Sequence, residues 1–213
     1  MFEKLLGMVR SEPAASALAV VRNVTIGRTV VLDPLAWRRM SGGSFRLDRD
    51  TLEITAQGLI KLDTGGYVHR FYTDDEIMLQ AVSSDPAGQF ADDFTIFTPY
   101  ASHYPASDAD KRVWIERLSG PSFTDPGLPV FQRYWFPPED GLQPPVTFWE
   151  EVFDDRAAVT PYSRIYQSCM LYSRDRGEEG GELLLAIAME PQGGDYSHEV
   201  MVGVALGMAE FTA

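Results

Sequence analysis

The sequence predicts a β-rich α+β fold, mainly antiparallel, built as a sandwich or an open barrel with a short N-terminal helix and one internal helix. Three observations carry that expectation. Period-two alternation recurs along the chain, clearest where Ile165, Gln167, Cys169 and Leu171 share one strand face and Tyr166, Ser168, Met170 and Tyr172 the other. Four Gly-Gly pairs, led by Gly42, Gly65, Gly180 and Gly193, punctuate the apolar runs as turns do. Only two segments show helical spacing and start signals. The 213 residues, 45% hydrophobic and 12% aromatic, are enough for a real core, and one domain over 1–213 with 1–13 as a helical extension is the simplest partition.

The elements follow in order. Phe2, Leu5, Leu6 and Val9 fall at i, i+3, i+4 and i+7, one face of a short amphipathic helix that Pro13 ends. Residues 14–21 are apolar behind Lys4 and Arg10, but Glu12 and Pro13 interrupt the layout of a cleaved signal. Residues 29–32 are β-branched and read as a strand stopped by Asp33-Pro34. Residues 51–55 and 59–62 flank Gln57-Gly58 and read as a hairpin. Further strands are expected over 67–72, 76–82 and 94–97. Residues 107–118 form the internal helix, with Ser107 as N-cap, Asp110 three residues on and Gly120-Pro121 as the stop; a strand over 112–118 is the rival reading. Residues 121–145 hold seven prolines among Phe131, Tyr134, Trp135 and Phe136, a composition for edge strands and ordered loop. Strands over 146–153, 163–172, 182–189 and 200–211 close the chain as an antiparallel meander.

Charge is the next constraint. The net charge is −13, and it is uneven: residues 1–70 carry +3 and residues 71–213 carry −16. Residues 71–110 hold eight Asp or Glu and no Lys or Arg. Such a surface repels phosphate, which excludes nucleic acid as a partner. No apolar run approaches the roughly 18 residues of a membrane span. The N-terminal helix leaves peripheral membrane association open, with weak affinity given its length. The single cysteine, Cys169, forms no intrachain disulfide and reads as a small core residue, which suits the cytoplasm.

The most informative run is Arg70-Phe71-Tyr72-Thr73-Asp74-Asp75-Glu76, two aromatics leading into three carboxylates. Asp74, Asp75 and Glu76, with Asp92 and Asp93 if the strands bring them near, form a candidate acidic binding patch for a divalent cation or a basic partner. The solvated hairpin tip is the plainer reading. His69, His103 and His198 share no metal-ligand spacing. Glu150-Glu151 and Asp154-Asp155 read as a charged strand end, with a glycosidase-like carboxylate pair as the rival. Trp135, Phe148, Trp149 and Tyr166 are the aromatics that would line a small-ligand pocket. No catalytic residues are assigned.

The run from Arg70 to Glu76, with Leu79-Gln80 after it, resembles the central motif of the YjfK-like family of bacterial proteins of unknown function. Ile26-Gly27 before residues 30–33, Gly58-Leu59-Ile60, and Met170-Leu171-Tyr172-Ser173-Arg174 look similar too. The resemblance covers residues ~20 to ~210 and carries over no catalytic residue. It implies an accessory context, alongside phage-shock-protein-A-like and small membrane proteins. The expected function is therefore a bacterial, non-enzymatic interaction or accessory protein, related to envelope stress, with a protein partner and no cofactor. The alternatives are a metal-dependent hydrolase using the acidic cluster and a divalent cation, or a small-ligand-binding domain. Oligomeric state is left open by the sequence.

Overall fold

A computed structural model describes residues 18–40, 43–63, 65–177 and 180–213. The expected N-terminal helix lies outside the described residues. Among the described residues the chain forms thirteen strands and two α-helices.

The centre of the molecule is a closed barrel of eight antiparallel strands, made from two four-stranded meanders. The first comprises β3 (Ala56–Lys61), β4 (Tyr67–Tyr72), β5 (Met78–Ser83) and β6 (Asp93–His103). The second comprises β9 (Val146–Phe153), β10 (Ser163–Asp175), β11 (Gly181–Pro191) and β12 (Ser197–Leu206). Two long-range seams close the ring. β6 pairs with β12 from Phe94↔Leu206 to His103↔His198, and β3 pairs with β9 from Gln57↔Phe153 to Ile60↔Glu150. This corrects the sandwich or open barrel. Alternation along a strand is the same in all three architectures, and only pairing between strands some 90 residues apart decides closure.

The remaining elements cover the outside. β1 (Thr29–Leu32) pairs with β2 (Thr51–Glu53) and with β13 (Phe211–Thr212), a small separate sheet. Helix α1 (Pro34–Met40) follows β1, and α2 (Asp108–Leu118), β7 (Ser122–Phe123) and β8 (Phe131–Arg133) join the two meanders. β8 pairs with β10 at Tyr172↔Arg133 while β10 also pairs with β9 and β11, so β7 and β8 branch off the barrel wall.

Consequently the larger apolar core lies outside the barrel. Phe71, Leu79, Phe94, Ile96, Met170, Tyr172, Leu184 and Val202 point outwards and cluster with Val30, Leu32, Leu52, Trp114, Leu118, Phe123 and Phe131. A second, smaller cluster of Met78, Phe97, Cys169, Leu171, Leu185, Ile187 and Met201 fills part of the lumen. Strands buried on both faces read as near-continuous apolar runs, as residues 183–189 do.

Local signals explain most elements. Ser107 caps α2: its hydroxyl accepts from the Asp110 N–H at 3.3 Å. Asp33 caps α1 by accepting from the N–H groups of Leu35 and Ala36, with Pro34 at the first helical position. Asp33-Pro34 thus stops β1, as the sequence predicts, and also starts a helix that the sequence expectation lacks. Gln57-Gly58, expected as a turn, lies inside β3, while β2 turns away to pair with β1. β6 is longer than expected because it runs through Pro99; the proline lacks an N–H, and a bulge opposite Val200 and Met201 leaves Tyr100 as the extra residue. The proline-rich stretch is ordered by buried Arg133, which donates to the carbonyls of Ser119, Phe136, Pro137 and Gly141. No described helix is long and apolar enough to cross a membrane.

Candidate functional site: the barrel lumen

Strand alternation turns Val68, Arg70 and Tyr72 of β4 into the lumen and His69 and Phe71 outwards. Arg70 sits between Gly58 on β3 and Gln80 on β5. Its guanidinium spans the barrel. Nε donates to Gln80 Oε1 at 3.0 Å, and Nη1 donates to Glu150 Oε2 at 2.9 Å and to Gln167 Oε1 at 2.8 Å. Glu150, on β9, accepts two further bonds: Tyr72 OH to Oε1 at 2.6 Å and Gln167 Nε2 to Oε2 at 2.5 Å. The Phe148 ring lies 5.6 Å from the guanidinium carbon. Glu150 is fully buried and Arg70 is 2% exposed.

Glycine makes room for this network. A Cβ on Gly58 would overlap Glu150 Oε1, so β3 carries no side chain where the carboxylate leans across. Two ions this deep persist only when paired and hydrogen-bonded. Burial is the largest single influence on Arg70 and would lower its pKa, but the Glu150 charge, with Tyr72 and Cys169 beside it, outweighs burial and the value is raised. Burial, then the adjacent Glu150 charge, push the Tyr72 hydroxyl well above its ordinary range. Burial pushes the neighbouring Cys169 thiol up to about 12. Tyr72 and Cys169 therefore stay protonated at neutral pH.

The network divides the lumen. On one side lies a cavity of about 420 Å³. Its floor is Arg70, Tyr72 and Gln167, its walls include Met78, Ile165, Ile187, Met189 and Met201, and Glu76, Tyr104 and Glu199 are at its mouth. On the other side a cavity of about 510 Å³ is lined by Gln80, Thr95, Phe148, Trp135 and Leu183, with Asp93 at its edge. Arg70 lines both.

The acidic residues singled out from sequence are distributed between the two ends. Thr73 and Ile77 close the β4–β5 turn by mutual hydrogen bonds. Within it Asp74 is exposed, and Asp75 accepts from Thr73 and pairs with Arg49 at 2.5 Å. Burial is the largest single influence on Asp75 and opposes its charge, but the hydrogen bonds from Thr73 and Arg49 and the Arg49 charge together hold its carboxyl below the usual range. Glu76 adopts φ 66° and turns to the first cavity. Asp92 precedes β6 and Asp93 opens it; Asp93 pairs with Val82, whereas Met78, next to the acidic turn, pairs with Phe97. Four residues of β5 separate those positions, roughly 13 Å. One cation cannot touch both groups, and among the described residues no three His, Cys, Asp or Glu side chains gather as a metal site.

Alternation likewise separates Glu150 in the lumen from Glu151, which pairs with Arg164 on the outer wall. Trp135 and Phe148 line the second cavity; the Trp149 and Tyr166 rings meet outside at 5.2 Å. His103 and His198 are cross-strand partners under α2, with His198 stacked on Trp114 at 4.5 Å, while His69 is buried on β4. What sequence reasoning missed is that Arg70, Tyr72, Glu150 and Gln167 meet in the lumen, although Arg70 and Tyr72 lie in the run singled out and Glu150 in a candidate carboxylate pair. Their signal was a polar side chain on the apolar face of its strand: Glu150 alternates with Phe148 and Val152, and Gln167 with Ile165 and Cys169.

Fold and site together define a closed eight-stranded antiparallel barrel with two end cavities and a buried ionic network between them. The chain belongs to the DUF2491 family, described as a protein of unknown function, whose model matches residues 1–212. No curated protein and no solved structure matches the chain.

Proposed function

We propose that this protein is a small-molecule-binding barrel whose methionine-lined cavity holds a ligand with an apolar body. The observation that carries the reading is the cavity of about 420 Å³ that ends on the Arg70–Glu150 network. Its size lies in the range of natural ligand pockets, and an eight-stranded barrel is wide enough for one small ligand. Methionine walls suit such a role, since the flexible thioether adapts to irregular shapes. The network supports binding rather than catalysis: its donors and acceptors are spent on one another. Native mass spectrometry of the purified protein tests this, together with titration of a neutral fluorescent apolar dye. Saturable binding of one dye, lost in Met201→Trp with the fold retained, is expected. Dye uptake unaffected by filling the cavity would overturn the reading.

A second reading keeps the interaction role, and with it the YjfK-like, bacterial, cytoplasmic and envelope-stress context. It is favoured by the outer wall of β9 and β10, where Trp149 is 48% exposed. Tyr162 and Val159 stand exposed on the preceding loop. An aromatic surface of this kind is typical of interface centres. Pull-down with Trp149→Ala as control tests it, and equal recovery of partners by both forms would remove it.

A further inference from the structure

We infer that the methionine-lined cavity selects a cationic amphiphile, an ammonium head on an apolar body, bound tail-first with the head at the mouth; this rests on the lumen being a ligand site. Orientation follows from the floor. Tyr72 OH is committed to Glu150, and Gln167 donates to Glu150 and accepts from Arg70. A ligand polar group sent to the floor would have to break these bonds, whereas an alkyl end meets Met78, Ile187, Met189 and Met201 without loss. The polar head therefore remains at the opening.

Charge decides the sign of that head. Among the described residues lining the cavity Arg70 is the one cation, and Glu150 neutralises it at 2.9 Å. Glu76 and Glu199 remain at the mouth, neither within 4.0 Å of a basic side chain among the described residues. Among the described residues the Glu199 carboxylate accepts from the Ser102 hydroxyl. Tyr104, 72% exposed beside them, offers an aromatic face of the kind that receives ammonium groups. A carboxylate head would meet two like charges on a protein of net charge −13.

Decyltrimethylammonium and decanoate, each below its micelle concentration, and decanol, below its solubility limit, separate the claims by isothermal calorimetry at moderate salt. The expected order is ammonium over alcohol over carboxylate, with the ammonium roughly tenfold tighter than the alcohol, as two exposed charge pairs and a ring contact would give. Glu76→Gln with Glu199→Gln abolishes the ammonium preference and leaves decanol binding intact. Glu139→Gln with Asp140→Asn, remote surface acids, leaves the preference unchanged and so excludes general attraction to an acidic protein. Decanol binding with no ammonium preference, or a preference insensitive to the Glu76 and Glu199 changes, overturns this inference while the ligand-site reading stands. Failure of all three to bind overturns both.

Discussion

Arg70 and Glu150 form an ion pair with both side chains buried, so removing either one strands the other. Replacing Arg70 with Met leaves a fully buried Glu150 without its cation. Breaking a buried pair by removing one partner costs about 3–5 kcal/mol. Two acceptors, Gln80 Oε1 and Gln167 Oε1, also lose their donor. We expect a loss of about 4 kcal/mol, equivalent to roughly 10 °C in Tm for a chain of this size. Replacing Glu150 with Gln should cost about 3 kcal/mol, because the charge of Arg70 is stranded while the amide still accepts from Tyr72. In the double replacement, Arg70→Met with Glu150→Gln, no buried ion remains. Its loss should be about 2 kcal/mol, far less than the sum of the two. Guanidinium unfolding at neutral pH, followed by tryptophan fluorescence, supplies all four corners of the cycle. Either single variant within about 1 kcal/mol of the parent, or additivity of the two, would refute the account of the network as a mutually compensated ion pair.

Four further outcomes are expected. Gly58→Ala should destabilise by about 2–3 kcal/mol in the same unfolding assay, since a methyl there displaces the Glu150 carboxylate from its donors. Burial, then the nearby His103, lowers the His198 pKa to about 4. The unfolded chain thus takes up a proton near pH 6.5 that the folded state refuses until about pH 4, so stability present above 6.5 is lost as pH falls between them. The loss is on the order of 2 kcal/mol, visible as a Tm decline that His198→Phe flattens. Cys169 should resist a thiol reagent at pH 8 in the native state and react once in denaturant; native labelling at the free-thiol rate would contradict its burial. Ser107→Ala should remove about 1 kcal/mol by unbinding the Asp110 N–H, read by thermal denaturation.

Where a signal was local, the sequence carried it. The strand over β9, the N-cap at Ser107, and the lumen face of Ile165, Gln167, Cys169 and Leu171 follow from alternation, capping and turn residues within a few positions of one another. Asp33-Pro34 is both a strand stop and a legible helix start, with Asp as cap and Pro at the first position. Gln57-Gly58 misled for a different reason. That glycine answers to Glu150, 92 positions away, and not to a local turn. The acidic run was legible as charge, but its destinations were not. Asp75 turns to Arg49 and Glu76 to a barrel mouth, and the β5–β6 register carries Asp93 to the other end.

The sequence by itself therefore determined most of the strands, their two faces, the internal helix and the uneven charge along the chain, because each depends on residues close together in the chain. Tertiary structure alone decided that β3 meets β9 and β6 meets β12, and hence that two meanders close into one ring. Closure also decided the site. Arg70, Glu150 and Gln167 sit on three different strands, and only a curved wall brings an ion and its counter-ion together across the lumen. The physical reason is that alternation says which residues share a face, whereas what stands opposite that face depends on pairings whose chain-closure entropy is met only in the complete fold.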